Sequence, residues 1–230
     1  MCRNIKIKFI YLIMLGMFIN ISAPQAARAE TVRLIDLLDV PVSYTAKFRV
    51  SDGHGTFLGA VWHEPGKERR EVDTKVGSQM VLLRRDQDTA YFVNQSGKWC
   101  VSFGFHTAAT LAGGLDGLVA TRHRQGTETV DGVKAVKYDI EAHASAGQQF
   151  QGEMWVNPSG VPLKVVGVED DGKGHRNQVE LVQTDVAMGS VAPGMLDVPT
   201  GYMTLDLKGV KPEQLVPAIQ SLGPLLGRHQ

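Results

Sequence analysis

Seven histidines are the side chains in this sequence best suited to binding a metal or moving a proton near neutral pH. They are His54, His63, His106, His123, His143, His175 and His229. No two of them have the His-x-His or His-Glu-x-x-His spacing that places two imidazoles on one metal ion. His63 and Glu64 are adjacent at a predicted strand end, where a surface pair is the simpler interpretation. We therefore predict no metal site and no cofactor.

Patterns for nucleophilic catalysis or phosphate binding are also missing. Gly-x-Ser-x-Gly does not occur, and Ser159 lies in Asn-Pro-Ser-Gly, which is typical of a turn. Residues 112–117, Ala-Gly-Gly-Leu-Asp-Gly, lack the Lys and Ser/Thr of a phosphate-binding loop. The acidic groups Asp86/Asp88 and 169–171 resemble calcium ligands only in charge, since both fall at predicted turns. We predict no catalytic residues and no enzymatic activity.

A thiol and a basic run complete the candidates for chemistry. Cys100 is the one thiol outside the first 29 residues, so it cannot form an internal disulfide with another mature residue. Its neighbours Trp99 and Val101 favour a packed strand residue over a reactive thiol. Arg122–Arg124 could hold a phosphate or a lipid head group, although a run of charge usually forms a solvated face.

The first 29 residues have the pattern of a secretory signal peptide. Basic residues precede the apolar run Phe9–Ile19, which is too short to span a bilayer comfortably. Ala27–Ala29 fits a small-x-small cleavage site, which disfavours the alternative of an uncleaved anchor. We predict cleavage, export to the periplasm, and a single mature domain over residues 30–230.

Export would also change the charge of the protein. The full chain has 24 basic and 24 acidic residues, and the predicted signal removes four basic and no acidic ones. The mature chain then has 20 basic against 24 acidic residues, a formal charge of −4. This balance argues against a nucleic-acid partner and gives no support for docking on anionic lipid.

Apolar and polar residues alternate in segments that recur about every ten residues. The clearest is Val42–Val50, in which every second residue is apolar. Asn157–Gly160 joins two such segments and combines Pro and Gly as a tight turn requires. The other predicted strands are Thr56–Glu64, Glu68–Val76, Gln79–Asp86, Thr89–Gln95, Lys98–Phe105, Val133–Ala142, Gln148–Asn157, Val161–Asp170 and Arg176–Val186. Short turns between them indicate an antiparallel meander rather than βαβ units.

Three apolar segments are predicted to be helical instead. Thr31–Val40 precedes the meander, and Lys211–Leu222 follows it with a Pro at a suitable first-turn position. His106–Ala120 interrupts the meander with apolar residues at helical spacing, weakened by several glycines. A single sheet of about ten strands must curl. The predicted fold is therefore mainly β with short α-helices, curved around an apolar cavity that the helices cover but do not fill.

The order of these features resembles the LolA-like family of outer-membrane lipoprotein carriers and lipoprotein-sorting relatives. The resemblance runs from Thr31 to Met203. It is carried by Tyr44–Phe48, Gly59–Val72, Gln79–Trp99, Met154–Val166 and Leu196–Met203. Its most specific part is Trp155, Asn157, Gly160 and Pro162, with Pro199, Gly201 and Tyr202 further on.

That resemblance implies an incomplete β-barrel with a helical lid over an apolar cavity that binds acyl chains of a lipid or lipoprotein. The expected cavity residues are Tyr44, Phe48, Leu58, Trp62, Phe92, Phe103 and Met154. The expected lid residues are Leu34, Leu37, Leu38, Leu111 and Leu115. Either Arg69–Arg70 or Arg84–Arg85 could correspond to the arginine that contacts the lid in the carrier.

Two hypotheses about function follow from these patterns. The first is a monomeric periplasmic carrier that holds acyl chains, since each buried CH₂ contributes about 0.8 kcal/mol without any polar contact. The second is a non-catalytic envelope sensor or assembly factor that uses the same fold to bind a protein partner.

Overall fold

A computed structural model describes residues 30–33, 40–52, 55–74, 77–111, 117–144, 147–172, 174–211 and 214. Over these ranges the chain forms one helix, α1 (Phe105–Leu111), a short 3-10 turn (Arg85–Gln87) and thirteen strands. The strands are β1 (Glu30–Arg33), β2 (Tyr44–Asp52), β3 (Gly55–Glu64), β4 (Lys67–Thr74), β5 (Gly77–Arg84), β6 (Thr89–Asn94), β7 (Trp99–Gly104), β8 (Val119–Val130), β9 (Val133–His143), β10 (Gln149–Val156), β11 (Pro162–Asp170), β12 (Arg176–Met188) and β13 (Met203–Asp206). Within these ranges, no helix has the length and apolar character needed to cross a bilayer.

All thirteen strands belong to one sheet built from two antiparallel meanders. The first meander is β2 to β7 and the second is β8 to β12, and they join because β12 pairs with β2. Strand β1 adds to the outer edge of β8, and β13 adds in parallel to β7. The two edge strands stand at opposite ends of the strand order, so the described sheet is open.

The connection from β7 to β8 requires this sheet to be strongly curved. Ten strand intervals separate β7 from β8, which in a flat sheet would be about 48 Å. The linking chain comprises seven helical residues and eight more to Val119, and it reaches at most about 38 Å. Ala109 and Leu118 of this connection pack on the same side of the sheet as Tyr44. The sheet therefore curves towards that side.

The strand register divides the side chains between two faces, because directly paired residues point to the same side. Tyr44 is paired with His63, whereas Thr45 is paired with Trp62. We call these two sides the Tyr44 face, which is concave, and the Trp62 face. The largest apolar core lies on the Tyr44 face and draws buried residues from β8 to β12 and from β2 to β4. Smaller clusters around Met80 and Trp155 lie on the Trp62 face.

The predicted strands are confirmed in order and nearly in extent, and three further strands were missed. The prediction of a helix from Thr31 is wrong at its start, because Thr31 and Val32 pair with Thr121 and Ala120 of β8. Residues 34–39 lie outside the described ranges. Strand β8 itself includes the basic run Arg122–Arg124, whose charge had concealed the strand pattern.

The other two predicted helices are described only in part. Helix α1 ends at Leu111, residues 112–116 are not described, and Val119 and Ala120 already pair with β9, so this interruption is shorter than predicted. Strand pairing satisfies the backbone N–H and C=O groups of Val119 and Ala120, so these two residues form a strand although their spacing suits a helix. Of the predicted helix 211–222, all but residues 211 and 214 lie outside the described ranges.

The turn between β10 and β11 confirms the sequence interpretation in detail. Asn157 N–H donates to Val161 O at 2.9 Å, and Gly160 N–H donates to Asn157 O at 3.0 Å. The Asn157 side-chain oxygen accepts from the N–H groups of Ser159 and Val161 at 3.0 and 2.9 Å. Gly160 has a φ of 91°, which a residue with a Cβ rarely adopts.

Candidate functional site

The centre of the Tyr44 face is a closed core. Tyr44 and Met154 are fully buried and Phe48 is 4% exposed, so these three expected cavity residues do lie together. Val40 and Val161, from segments outside the strands, pack in the same cluster and cover it. A ligand would reach this part of the face only if covering segments moved.

Glycines in the sheet bring aromatic rings down onto its concave floor. A Cβ added to Gly59 would lie 2.3 Å from Cζ of Phe48 and 2.1 Å from the carbonyl oxygen of Glu71. A Cβ added to Gly167 would likewise lie 2.5 Å from Cζ of Phe150. The rings of Phe48 and Phe150 therefore pack directly on the sheet backbone at these points, because the glycines leave room for them.

An ion cluster of His63, Glu68 and Arg70 lies within the same face, between β2 and β5. All three residues are at most 4% exposed. Arg70 Nε donates to Glu68 Oε1 at 2.6 Å, and Glu68 Oε2 lies 3.1 Å from His63 Nδ1. His63 Nε2 lies 3.0 Å from the backbone oxygen of Val40. The cluster thus ties the segment entering β2 to the floor of the sheet.

The surroundings favour the ionised form of Glu68 and the neutral form of the neighbouring Tyr44. Burial of Glu68 opposes its ionisation, but the Arg70 charge and hydrogen bonds from His63 and Arg70 hold its pKa below the ordinary value. Burial, helped by the Glu68 charge, raises the pKa of Tyr44, whose ring lies 5.3 Å from that of His63. These groups are buried against one another, an arrangement suited to structural support rather than to chemistry on a substrate.

Beyond the ion cluster, the Tyr44 face is mainly apolar, with Gln79 and Asn94 as polar residues, and it is only partly covered. Five half-buried side chains of β5, β6 and β7 lie there, and we call them the apolar strip: Val81, Phe92, Trp99, Val101 and Phe103. The rings of Phe92 and Trp99 have centroids 6.1 Å apart. None of these five described residues belongs to a buried cluster.

The edge strand β13 extends this surface. Met203 pairs with Trp99 and Leu205 pairs with Val101, so both point to the Tyr44 face. Met203 is 73% exposed and Leu205 is 48% exposed. The concave face therefore has a covered half and a partly open half, with the ion cluster between them. Two expected cavity residues, Phe92 and Phe103, lie in the open half.

Leu58 and Trp62, by contrast, are on the opposite face from the other expected cavity residues. Leu58 is paired with Arg49 and is 57% exposed. Trp62 lies under the Arg69 guanidinium, whose central carbon is 5.4 Å from its ring centroid. Alternation in β3 separates these two from Phe57 and Gly59, and sequence alone did not supply the register that decides which set faces inward.

The expected lid lies almost entirely outside the described residues. This applies to Leu34, Leu37, Leu38 and Leu115. Leu111 is the last residue of α1, and its side chain is not described. From the connection that was expected to carry the lid, Ala109 and Leu118 do contact the core of the Tyr44 face.

Sequence reasoning missed two parts of this surface. Glu68 and Arg70 alternate with polar neighbours and would be expected to face water, yet they face the core. The apolar strip could have been predicted in part from β5, because the consecutive residues from Met80 to Leu83 are all apolar. Such a strand is apolar on both faces, and the Trp62 side of it is covered by Val198 and Tyr202.

Other polar features are less suited to an apolar ligand. A cavity of about 420 Å³ on the Trp62 side is lined by charged and amide groups, including Glu128, Lys137 and Glu153. The described residues contain no group of three side chains placed to bind a metal ion. Cys100 is buried, with its sulfur 3.1 Å from the Thr204 hydroxyl, in agreement with a packed strand residue.

No family model and no curated protein matches this chain. An uncharacterised conserved protein from Thermus thermophilus has a similar structure, with a TM-score of 0.50 and 10% identity over 73% of this chain and 91% of that one. The MucA/MucB complex of Pseudomonas aeruginosa matches with a TM-score of 0.44 and 15% identity over 73% of this chain and 59% of the other. A domain named for outer membrane lipoprotein sorting, from Vibrio parahaemolyticus, has a TM-score of 0.31 and 10% identity over 64% and 85% of the chains. At 10% identity the likeness to the Thermus thermophilus protein concerns the fold alone. Membership of the LolA-like family stays a prediction.

Proposed function

We propose that this is a non-catalytic periplasmic binding protein that holds acyl chains of a lipid or lipoprotein against the Tyr44 face. The observation that carries the proposal is the apolar strip, a row of half-buried aromatic and aliphatic side chains on the concave side of an open sheet. Location in the periplasm rests on the signal-peptide pattern of residues 1–29.

The chemistry of the strip fits a hydrocarbon ligand. Its five side chains carry no charge, and the indole N–H of Trp99 is their single polar hydrogen-bonding group. Burial of apolar surface is non-directional, so a flexible chain gains free energy along the whole strip without fixed polar contacts. Deeper entry, past the ion cluster towards Phe48 and Met154, would require Val40 and its neighbours to move.

The test is uptake of a fluorescent fatty acid, compared between matched aspartate variants on the two faces. Phe92→Asp and Val101→Asp place a charge in the strip, and each should weaken binding at least about tenfold, equivalent to about 1.4 kcal/mol. Leu58→Asp places the same charge on the Trp62 face, where the residue is already 57% exposed, and should leave binding unchanged.

Equal loss of binding in all three variants, with folding intact, would show that the probe does not use the Tyr44 face. Absence of any uptake by the native protein, together with no lipid in an organic extract of protein purified from its envelope, would remove the carrier role altogether.

The second candidate function is that of an envelope sensor or assembly factor, and one observation favours it. All four residues of β13 are exposed, and the strand pairs only with β7 among the described strands. An open edge can accept an extended segment of a partner. Capture of one envelope protein by the native chain, and its loss in Thr204→Pro, which removes an N–H on the side of β13 away from β7, would support this function.

A further inference from the structure

We propose that His63 is a proton-dependent latch for the segment that enters β2. With both ring nitrogens protonated, His63 holds Val40 on the sheet, and with one proton lost it releases Val40. We call residues 40–43 the entry segment. The inference goes beyond the proposed function and does not depend on lipid binding, because it rests on the chemistry of the two groups that contact the imidazole.

Each ring nitrogen of His63 faces an oxygen that can only accept a hydrogen bond. Nε2 lies 3.0 Å from the backbone oxygen of Val40, and a carbonyl oxygen has no proton to donate. Nδ1 lies 3.1 Å from Glu68 Oε2. Burial opposes the ionisation of Glu68, but the Arg70 charge and hydrogen bonds from His63 and Arg70 hold its pKa below the ordinary value. Glu68 is therefore a carboxylate, which also only accepts.

Only the doubly protonated imidazole makes both contacts as hydrogen bonds. A neutral imidazole has one N–H and one lone pair. Either neutral tautomer would direct its lone pair at the oxygen of Val40 or at that of Glu68, which is a repulsive contact. His63 is 1% exposed, so solvent has little access to replace the lost hydrogen bond. The imidazolium is the form that fits this site.

The contact with Val40 is the one that we expect to break when a proton is lost. The remaining N–H bonds more strongly to the ionised oxygen of Glu68 than to a neutral carbonyl. Glu68 is fixed by its place in β4 and by Arg70, whereas Val40 lies outside the strands. The entry segment is therefore the part that moves.

The entry segment covers the largest core of the Tyr44 face. Val40 is fully buried in that cluster, and Val42 packs against it. Ser43 O accepts from Gly189 N–H at 3.0 Å, which keeps this end of the segment on the sheet. Release at Val40 therefore removes one covering residue from the cluster that contains Phe48.

His63 is the group whose titration changes the charge of this cluster. Among the described residues, the titratable and charged groups that face it are Tyr44 on β2 and Glu68 and Arg70 on β4. Burial raises the pKa of Tyr44, so the phenol stays neutral where histidine titrates. Arg70 keeps its charge and Glu68 stays ionised. The attachment of Val40 is therefore strongest in acid and weakens as the pH rises.

The experiment uses the full chain labelled with nitrogen-15 histidine and with carbon-13 valine methyl groups, observed by NMR. The nitrogen shifts of the imidazole show whether both ring nitrogens of His63 carry a proton. The methyl shifts of Val40 show whether its side chain lies in the core. His63→Gln and Val40→Ile assign the two sets of signals. Spectra are recorded from about pH 5 to about pH 8.

At the acidic end we expect both ring nitrogens of His63 to be protonated and Val40 to be buried. As the pH rises, loss of the His63 proton should coincide with a rise in the population of solvent-exposed Val40. The rise should be about tenfold or more, which corresponds to the loss of one hydrogen bond from a charged donor.

Two variants test the role of His63. His63→Gln places a neutral N–H donor near the Val40 oxygen at every pH, so Val40 should no longer respond to pH. His175→Gln is the matched control. His175 Nδ1 also lies close to a carboxylate, 2.8 Å from Asp171 Oδ2, but its side chain is 61% exposed. This variant should keep the native response of Val40.

An unprotonated ring nitrogen in His63 at about pH 5, with Val40 still buried, would overturn the inference. That measurement is made on the native protein and does not depend on the folding of a variant. A Val40 response that persists in His63→Gln would also overturn it, because another group, such as Glu169 with its pKa raised by burial to about 8, would then be responsible.

An uncharged fluorescent acyl ester separates this inference from the proposed function. Faster uptake at about pH 8 than at about pH 5, with the difference lost in His63→Gln, would support the latch and show that acyl chains enter past Val40. No uptake at either pH, with the Val40 response present, would refute lipid binding and leave the inference standing.

Discussion

Replacing Glu68 with alanine should show how strongly the ion cluster supports the fold. Glu68 is 4% exposed and accepts from Arg70 Nε at 2.6 Å. Its removal leaves the Arg70 guanidinium and His63 buried without their shared carboxylate. Breaking a buried ion pair in this way costs about 3–5 kcal/mol. Since a domain is stable by only about 5–15 kcal/mol, much of the stability would be lost.

Urea unfolding at pH 7 measures this loss. With a slope of about 2 kcal/mol per molar urea, the midpoint of Glu68→Ala should fall by about 2 M. Glu68→Leu/Arg70→Met removes both charges and should lie within about 1–2 kcal/mol of the native protein, because no unpaired buried charge remains. The double variant also keeps the measurement informative if the single variant does not fold.

An exposed pair provides the matched control. Lys47 Nζ lies 2.9 Å from Asp185 Oδ2, but the two side chains are 73% and 65% exposed. Lys47→Ala should therefore produce no resolvable change in the midpoint. The reasoning is refuted if Glu68→Ala loses less than about 1 kcal/mol, or if the double variant loses as much as the single one.

Three further predictions concern particular residues. Burial and nearby carboxylates raise the pKa of Glu169 to about 8. The stability that its neutral form contributes is therefore complete below about pH 4.5 and is lost as the pH rises through 8. At pH 8.5 the free energy of unfolding of Glu169→Gln, measured in urea, should be about 1–2 kcal/mol higher than that of the native protein, and equal values would contradict this. Asn157→Ala removes the acceptor for two backbone N–H groups and should cost about 1–3 kcal/mol in urea unfolding, whereas Asn157→Asp should cost less. Gly59→Ala should lower the melting temperature because its Cβ meets Phe48 and the Glu71 carbonyl, whereas a Cβ on Gly126 meets nothing within 4 Å and Gly126→Ala is its control.

Much of the local structure follows from the sequence. Alternation in Val42–Val50 predicts β2, and the composition of Asn157–Gly160 predicts a turn whose hydrogen bonds the structure contains. These features depend on the alternation of apolar and polar residues and on the backbone preferences of turn residues, both of which are set by residues adjacent in sequence. The same local information predicted the helical interruption after β7, although not where it ends.

The sequence did not predict which side chains point to the Tyr44 face. The sequence grouped Leu58 and Trp62 with Tyr44 and Phe48, because all four are large and apolar. A shift of one residue in strand pairing exchanges the two faces, and only the register of β2 against β3 settles the choice. The burial of Glu68 likewise depends on its contact with His63 in a neighbouring strand, and Arg70 pairs with Glu68.

By itself, then, the sequence determined ten of the thirteen described strands, the turn at Asn157 and the apolar character of the chain, since each depends on residues close together along it. Only the tertiary structure decided that β12 pairs with β2, that the sheet curves towards Tyr44, and that Val81, Phe92 and Val101 form a row. Those features join residues far apart in sequence, and their free energy arises from packing that no local pattern contains.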